Sequence, residues 1–202
     1  MQLFYSTTSP FARIARIALA EKGGHELSHR LTDPWKDSPE LLLANPSARV
    51  PTVVLDSGLP LTESLLIVMW LEAKYPNPSL LGDDPGKVIS TAGIAMGAIE
   101  AAAAVIIGRK MTDATFDESP VGLRRRRSII QAMSRLEANP PDSNGPIPSL
   151  ALITTVVALD YLRFRFAESP WLPPLPKLDV LALTARFRSA FAETLPRDMP
   201  VS

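Results

Sequence analysis

The stretch Asn45-Pro46-Ser47-Ala48-Arg49-Val50-Pro51-Thr52-Val53-Val54-Leu55-Asp56-Ser57-Gly58-Leu59-Pro60-Leu61-Thr62-Glu63-Ser64 holds the densest structural signal in the chain. Asn45-Pro46 ends the element before it, because a residue preceding proline is pushed out of the helical region. Residues 50 to 55 form a β-branched apolar run introduced by proline, which predicts a strand. Asp56-Ser57-Gly58 is a turn and residues 59 to 61 a short returning strand, so the pair makes a hairpin. Thr62-Glu63-Ser64 then opens a helix to about Tyr75. Leu65, Val68, Met69 and Leu71 recur in it at helical spacing, and Pro76 and Pro78 end it.

Toward the N-terminus, residues 39 to 45 read as a short helix, preceded by a loop with Pro34-Trp35-Lys36. Residues 26 to 31 alternate, with Leu27, His29 and Leu31 on one side, and predict a strand. Before them, Ser9-Pro10 starts a helix: serine caps, and proline fits the first helical position. Phe11, Ile14, Ala15, Ala18 and Leu19 follow at helical spacing until Gly23-Gly24. Residues 2 to 6 are a first strand. The order β-α-β-α-β-β-α thus fills the first 75 residues.

Toward the C-terminus the pattern turns all-helical, with helices predicted over about 86–112, 120–138, 149–167 and 178–193 and a Pro/Asn/Gly loop over 139–148. The predicted organisation is an α/β domain over 1–76, a linker over 77–85 and an all-helical domain over 86–202.

Composition works by exclusion. A chain of 202 residues, 46% of them apolar, buries a sizeable core. Its 21 basic residues balance 21 acidic ones, so no electrostatic argument favours nucleic acid or an acidic membrane as partner. Cysteine is absent, which removes disulfides, a protein thiolate and Cys-ligated metals, and fits a cytoplasmic address. His25 and His29 are the only histidines, so a His-rich metal site is excluded; they are expected at a helix end and on a strand, without catalysis. The N-terminus lacks the basic start and long apolar run of a targeting segment. The weakly polar run from Ser90 to Gly108 is rich in Ala and Gly and contains Glu100. A spanning helix takes ~20 strongly apolar residues, so this run reads as a buried helix of a soluble bundle.

The ordered set of Ser-Pro capping the first helix, Val-Pro before the third strand and Glu-Ser opening the third helix resembles the thioredoxin-like domain of glutathione S-transferases. The helical second half is similar to that family's C-terminal domain. Residues 4–23, FYSTTSPFARIARIALAEKG, resemble bacterial members that begin with a Ser-Pro-Phe motif. The likeness runs from Met1 to about Ala192.

The resemblance implies a homodimeric transferase that binds glutathione as cosubstrate. Ser9 would hold its thiolate, with Thr7, Thr8 and Ser6 as rivals; a plain helix cap is the other role for Ser9. Val50-Pro51 would be cis, turning the Val50 backbone N–H and C=O to the cysteinyl unit. Ser64 would hold the γ-glutamyl carboxylate and Glu63 the ammonium, set against a Thr62 cap with an acidic first turn. Arg49 and Lys36 would meet the glycine carboxylate, or be solvated charges. Phe11 would line the glutathione site or the electrophile pocket, or be core. That hydrophobic pocket, between the domains, would include Met111 and Phe116. Glu100 would reach the neighbouring subunit's γ-glutamyl ammonium, or make an ion pair. Gly93, Gly97 and Ala101, spaced by four, would allow close helix approach, across subunits or within one.

The absence of cysteine excludes the branch of the family that uses a protein thiol for disulfide exchange. Detoxification of small electrophiles is the implied role. The rival function is a non-catalytic carrier or interaction module on the same fold. The arginine run Arg124-Arg125-Arg126-Arg127 reads as a solvated face, with Ile129, Ile130, Met133 and Leu136 buried. One departure stands out: the family often carries Ser/Thr-x-x-Asp at the helix starting near Ser149, and here the fourth residue is Leu152.

Overall fold

The computed structural model describes residues 1–23, 26–167 and 169–199. Gly24 and His25, both named above, lie outside them. Four strands, β1 (Gln2–Tyr5), β2 (Ser28–Leu31), β3 (Thr52–Val54) and β4 (Pro60–Thr62), form one sheet in the order β2-β1-β3-β4. β1 and β2 are parallel, and the other two pairs antiparallel, with Leu3 opposite His29 on one side and Val53 on the other. Interleaved with the strands are α1 (Pro10–Lys22), α2 (Pro39–Ala44) and α3 (Ser64–Lys74). The order is the β-α-β-α-β-β-α expected from the sequence; a 3-10 turn at Pro34–Lys36 is added.

Local chemistry explains the boundaries. Ser9 caps α1 by accepting the Ala12 N–H at 3.1 Å, and Pro10 takes the first helical position. Gly23, at φ 57, stops the helix in a conformation that costs glycine little. α2 is capped by Ser38 onto the Leu41 N–H. Thr62, however, belongs to β4 and does not cap α3. Glu63 stands at the cap position and makes no side-chain capping bond.

The chain divides into two compact units, residues 1–80 with 188–202, and residues 81–187. In the first, α1 packs on α3 and α8 (Ser189–Ala192). Lys22 is fully buried there, donating to the carbonyls of Tyr75 and Pro78 at 2.7 Å and pairing with Glu72. The second unit contains α4 (Pro85–Met111), α5 (Pro120–Ala138), α6 (Leu150–Phe166) and α7 (Pro176–Ala185). α6 is buried all round from Leu150 through Leu162 and mostly apolar there, with Thr154, Thr155 and Asp160 as its buried polar residues.

Three expectations change. The single helix predicted over 178–193 is broken: α7 ends at Ala185, and Arg188 is extended before α8. The break falls where the chain leaves one unit for the other, so the C-terminal segment joins the α/β unit, whereas sequence order alone places it with the helices. α4 meets the length and composition test for a membrane span and packs against α5 and α6, yet it is buried on one side only. Gly93, Gly97 and Glu100 are exposed while Ala101 is buried. A Cβ at Gly93 or Gly97 would have no heavy atom within 4 Å, so close packing within the chain is not their use. At α6, Ser149 caps the Leu152 N–H at 3.2 Å, but Leu152 is itself 2% exposed, so this helix turns an apolar side chain inward where the reciprocal cap would have a carboxylate.

Candidate functional site

The site residues of the first unit are tied together by a small core. Ala12, three residues past Ser9, shares one buried cluster with Phe4, Leu41 and Val50. The start of α1 is thereby fixed against the loop that carries Val50-Pro51. That peptide bond is cis, as expected. The loop is built by polar groups that sequence reading passed over. Asn45, read only as a helix stop, is 5% exposed. Its Nδ2 donates to the Arg49 carbonyl at 3.0 Å and to Thr52 Oγ1 at 3.2 Å, and its Oδ1 accepts the Ser47 N–H at 3.0 Å. Thr52 Oγ1 donates to the same Arg49 carbonyl at 2.8 Å. Val50, next in the chain, uses neither its N–H nor its C=O in a hydrogen bond among the described residues.

At the mouth of α3, Glu63 holds φ 66, a left-handed value that costs a non-glycine residue of order 1–3 kcal/mol. Ser64 is 2% exposed, and its hydroxyl has no hydrogen-bond partner among the described residues. With no side-chain cap, the first N–H groups of this helix are open to an anion. Arg49 Nη1 lies 3.7 Å from Glu63 Oε1, both side chains being exposed. Ordinary solvated-pair energetics apply, ~0–1 kcal/mol.

The hydroxyls before α1 differ sharply. Ser6 and Thr7 are buried, and each donates to Met199 Sδ at 3.4 Å. Thr8 Oγ1 is 3.0 Å from Ser6 Oγ. Ser9 is half-buried and accepts the Ala12 N–H, and its own proton has no acceptor among the described residues.

Lys36 is exposed on its 3-10 turn, and Phe11 is half-buried on the first turn of α1. In the second unit Met111 is exposed at the end of α4. The Phe116 ring lies where a Cβ on Gly108 would be, 2.4 Å away, so this phenylalanine needs that glycine beneath it. Arg124, Arg125 and Arg127 are exposed, while Arg126 pairs with Glu118 at 2.5 Å. His29 is on β2, as expected, edge-on to Tyr5. Burial and the nearby Arg16 charge hold its pKa below the usual histidine range.

A sheet of this order, with the cis Val50-Pro51 loop beside it and α1 and α3 starting nearby, defines a thioredoxin-like unit. Residues 8–74 match the family model of the glutathione S-transferase N-terminal domain. Over 97% of this chain and 98% of its own length, the uncharacterised GST-like protein YibF of Escherichia coli K12 is 29% identical. A crystallised glutathione S-transferase from Methylobacterium radiotolerans, in complex with glutathione sulfonate, superposes with a TM-score of 0.88 at 29% identity, covering 100% of this chain and 97% of that one. A second, from Methylobacillus flagellatus with glutathione bound, gives 0.82 at 26% identity over 97% and 99%. Over residues 8–74 the chain is thus similar to the glutathione S-transferase N-terminal domain, and over nearly its whole length to a GST-like protein and to solved glutathione S-transferases.

Proposed function

We propose that this protein binds glutathione in its α/β unit and uses the glutathione thiolate as a nucleophile toward a small hydrophobic electrophile. The observation that carries the reading is the accounting of protons on the loop before α1. With the Ser6 and Thr7 protons on Met199 Sδ and Thr8 donating to Ser6, Ser9 is the hydroxyl of the four that keeps a proton without an acceptor among the described residues, and it sits at a helix N-terminus. The two relatives crystallised with glutathione or its sulfonate support the choice of ligand.

The energetics are adequate. A free thiol has a pKa of ~8.5, and lowering it by ~2 units takes ~2.7 kcal/mol. A hydrogen bond to a charged acceptor supplies ~1.5–3 kcal/mol, and a helix N-terminus ~0.3–1 kcal/mol more. In this reading the thiol proton leaves to solvent, Ser9 Oγ–H donates to the sulfur anion, and the sulfur lone pair forms the new bond as the electrophile's leaving group departs. The Val50 N–H and C=O pair with the cysteinyl unit as an added strand. Ser64 and the open N–H groups of α3 take the γ-glutamyl carboxylate, and Glu63 its ammonium. Arg49 and Lys36 supply positive charge for the glycine carboxylate, and Phe11, beside Ser9, faces the electrophile. The exposed α4 face around Gly93, Gly97 and Glu100 is where a second copy would pack, bringing Glu100 to the partner's γ-glutamyl ammonium.

The test is retention on immobilised glutathione and conjugation of a chlorodinitrobenzene-type aryl halide, wild type beside Ser9→Ala. Retention with turnover that falls ~10–100-fold in the variant is expected, the value of one charge-assisted hydrogen bond. Retention without turnover across a broad electrophile panel would instead identify a carrier, and no retention would overturn the reading.

A further inference from the structure

Ser6, Thr7, Thr8 and Ser9 place four hydroxyls on four consecutive residues, each with a single proton to give. Where three of those protons go is decided almost two hundred residues away. Ser6 Oγ and Thr7 Oγ1 both donate to Met199 Sδ at 3.4 Å. Once the Ser6 proton is on sulfur, the 3.0 Å contact between Ser6 and Thr8 runs with Thr8 donating. The backbone follows the same anchor: the Thr8 N–H donates to Ser6 Oγ at 3.3 Å and the Ser9 N–H to the Ser6 carbonyl at 3.3 Å.

Met199 is itself held in place by a chain segment that runs back over α1. Arg188 pairs with Glu21 at 3.0 Å. Phe191 is fully buried, and Arg13, 3% exposed, donates to the Phe191 carbonyl at 3.3 Å and to Thr194 Oγ1 at 3.2 Å. The Arg197 N–H reaches the Thr7 carbonyl at 3.4 Å. The sulfur therefore arrives on the loop as the end of an anchored strap. A thioether is a weak acceptor, so its effect is on order and on which hydroxyl is free.

We propose that Met199 is a positioning residue: it pins the loop over residues 6–9 and takes up the Ser6 and Thr7 protons, leaving Ser9 as the hydroxyl that meets the ligand's sulfur. The pinning stands on the contacts alone; the selection of Ser9 rests on the glutathione reading above. Two variants separate acceptor from bulk. Met199→Leu keeps the volume and accepts nothing, while Met199→Gln keeps an acceptor. Two readouts are taken on each: amide hydrogen exchange at Thr8 and Ser9 in the ligand-free protein, and the pH midpoint of the thiolate ultraviolet band of bound glutathione.

In Met199→Leu, exchange at both amides is expected to rise about fivefold, as the loss of two weak hydrogen bonds implies. The thiolate midpoint should rise by about half a pH unit, with Met199→Gln close to wild type in both. Exchange in Met199→Leu equal to wild type, or in Met199→Gln as fast as in Met199→Leu, would overturn the pinning. Faster exchange with an unmoved midpoint would overturn the selection of Ser9. A wild type with no thiolate band would sink the glutathione reading, and the exchange comparison would still decide the pinning.

Discussion

At residue 9 one oxygen caps α1 and also holds the uncommitted proton of the loop. The two roles come apart in Ser9→Gly, because glycine at a cap costs only a few tenths of a kcal/mol against serine, where alanine costs ~1 kcal/mol. Thermal melting should therefore move little in Ser9→Gly, while conjugation falls as far as in Ser9→Ala. Equal activity loss with a collapsed melting temperature would make the residue a cap alone. Thr155 is the opposite case. It is 0% exposed on α6, and its hydroxyl has no partner among the described residues. Removing a buried polar group without a partner relieves ~1–3 kcal/mol of desolvation. Thr155→Val, nearly the same shape, is expected to raise the melting temperature, and a fall would show that the hydroxyl is satisfied by a bound water.

Among the elements, the loop from α2 to β3 depends most on a single side chain. Asn45 ties the Arg49 carbonyl, Thr52 and the Ser47 N–H together beneath Val50. Asn45→Ala leaves those groups short of partners and should cost ~1–3 kcal/mol by chemical denaturation. Because the loop presents the backbone that the proposed ligand pairs with, the KM for glutathione should rise more than kcat falls. An unchanged KM in a destabilised variant would confine Asn45 to folding. The start of α6 shows why a familiar pattern is missing. A capping box is worth about 1 kcal/mol, whereas burying a leucine is worth ~1.5–3 kcal/mol. Leu152, 2% exposed, is the larger gain at that position.

Across the α/β unit, the pairing of Lys22 with Glu72 joins the end of α1 to the end of α3 and to the segment at residues 78–80. Burial alone would raise the Glu72 pKa. Hydrogen bonds from Lys22, Ser79 and the Leu80 N–H outweigh it and hold the carboxyl below the usual glutamate range. A depressed carboxylate stabilises the fold above its unfolded pKa of ~4.3, and that contribution is lost as pH falls through the lower folded value. Glu72→Gln should therefore lose roughly 2–3 kcal/mol near neutral pH. That is less than the ~3–5 kcal/mol of breaking a fully buried pair, since Lys22 keeps the Tyr75 and Pro78 carbonyls. Its stability should also decline less steeply in acid than that of the wild type. Parallel acid-unfolding curves for the two proteins would show that Glu72 does not carry the acid limb.

The element order of the α/β unit was legible because local signals set it: Ser9-Pro10, Gly23, Asn45-Pro46 and the hairpin at Asp56-Ser57-Gly58 each act within a few residues. So were the candidate positions Ser9, Val50, Glu63 and Ser64, which sit at the ends of those elements. What sequence left open involves partners far apart along the chain. The choice among four hydroxyls depends on Met199, the break before α8 on a segment that leaves its helical neighbours for α1, and the exposure of Gly93 and Gly97 on which side of α4 finds α5 and α6. Propensity and capping act over one turn of helix. A proton's acceptor and a helix's buried side are fixed only when distant residues meet, and that is decided by the tertiary structure.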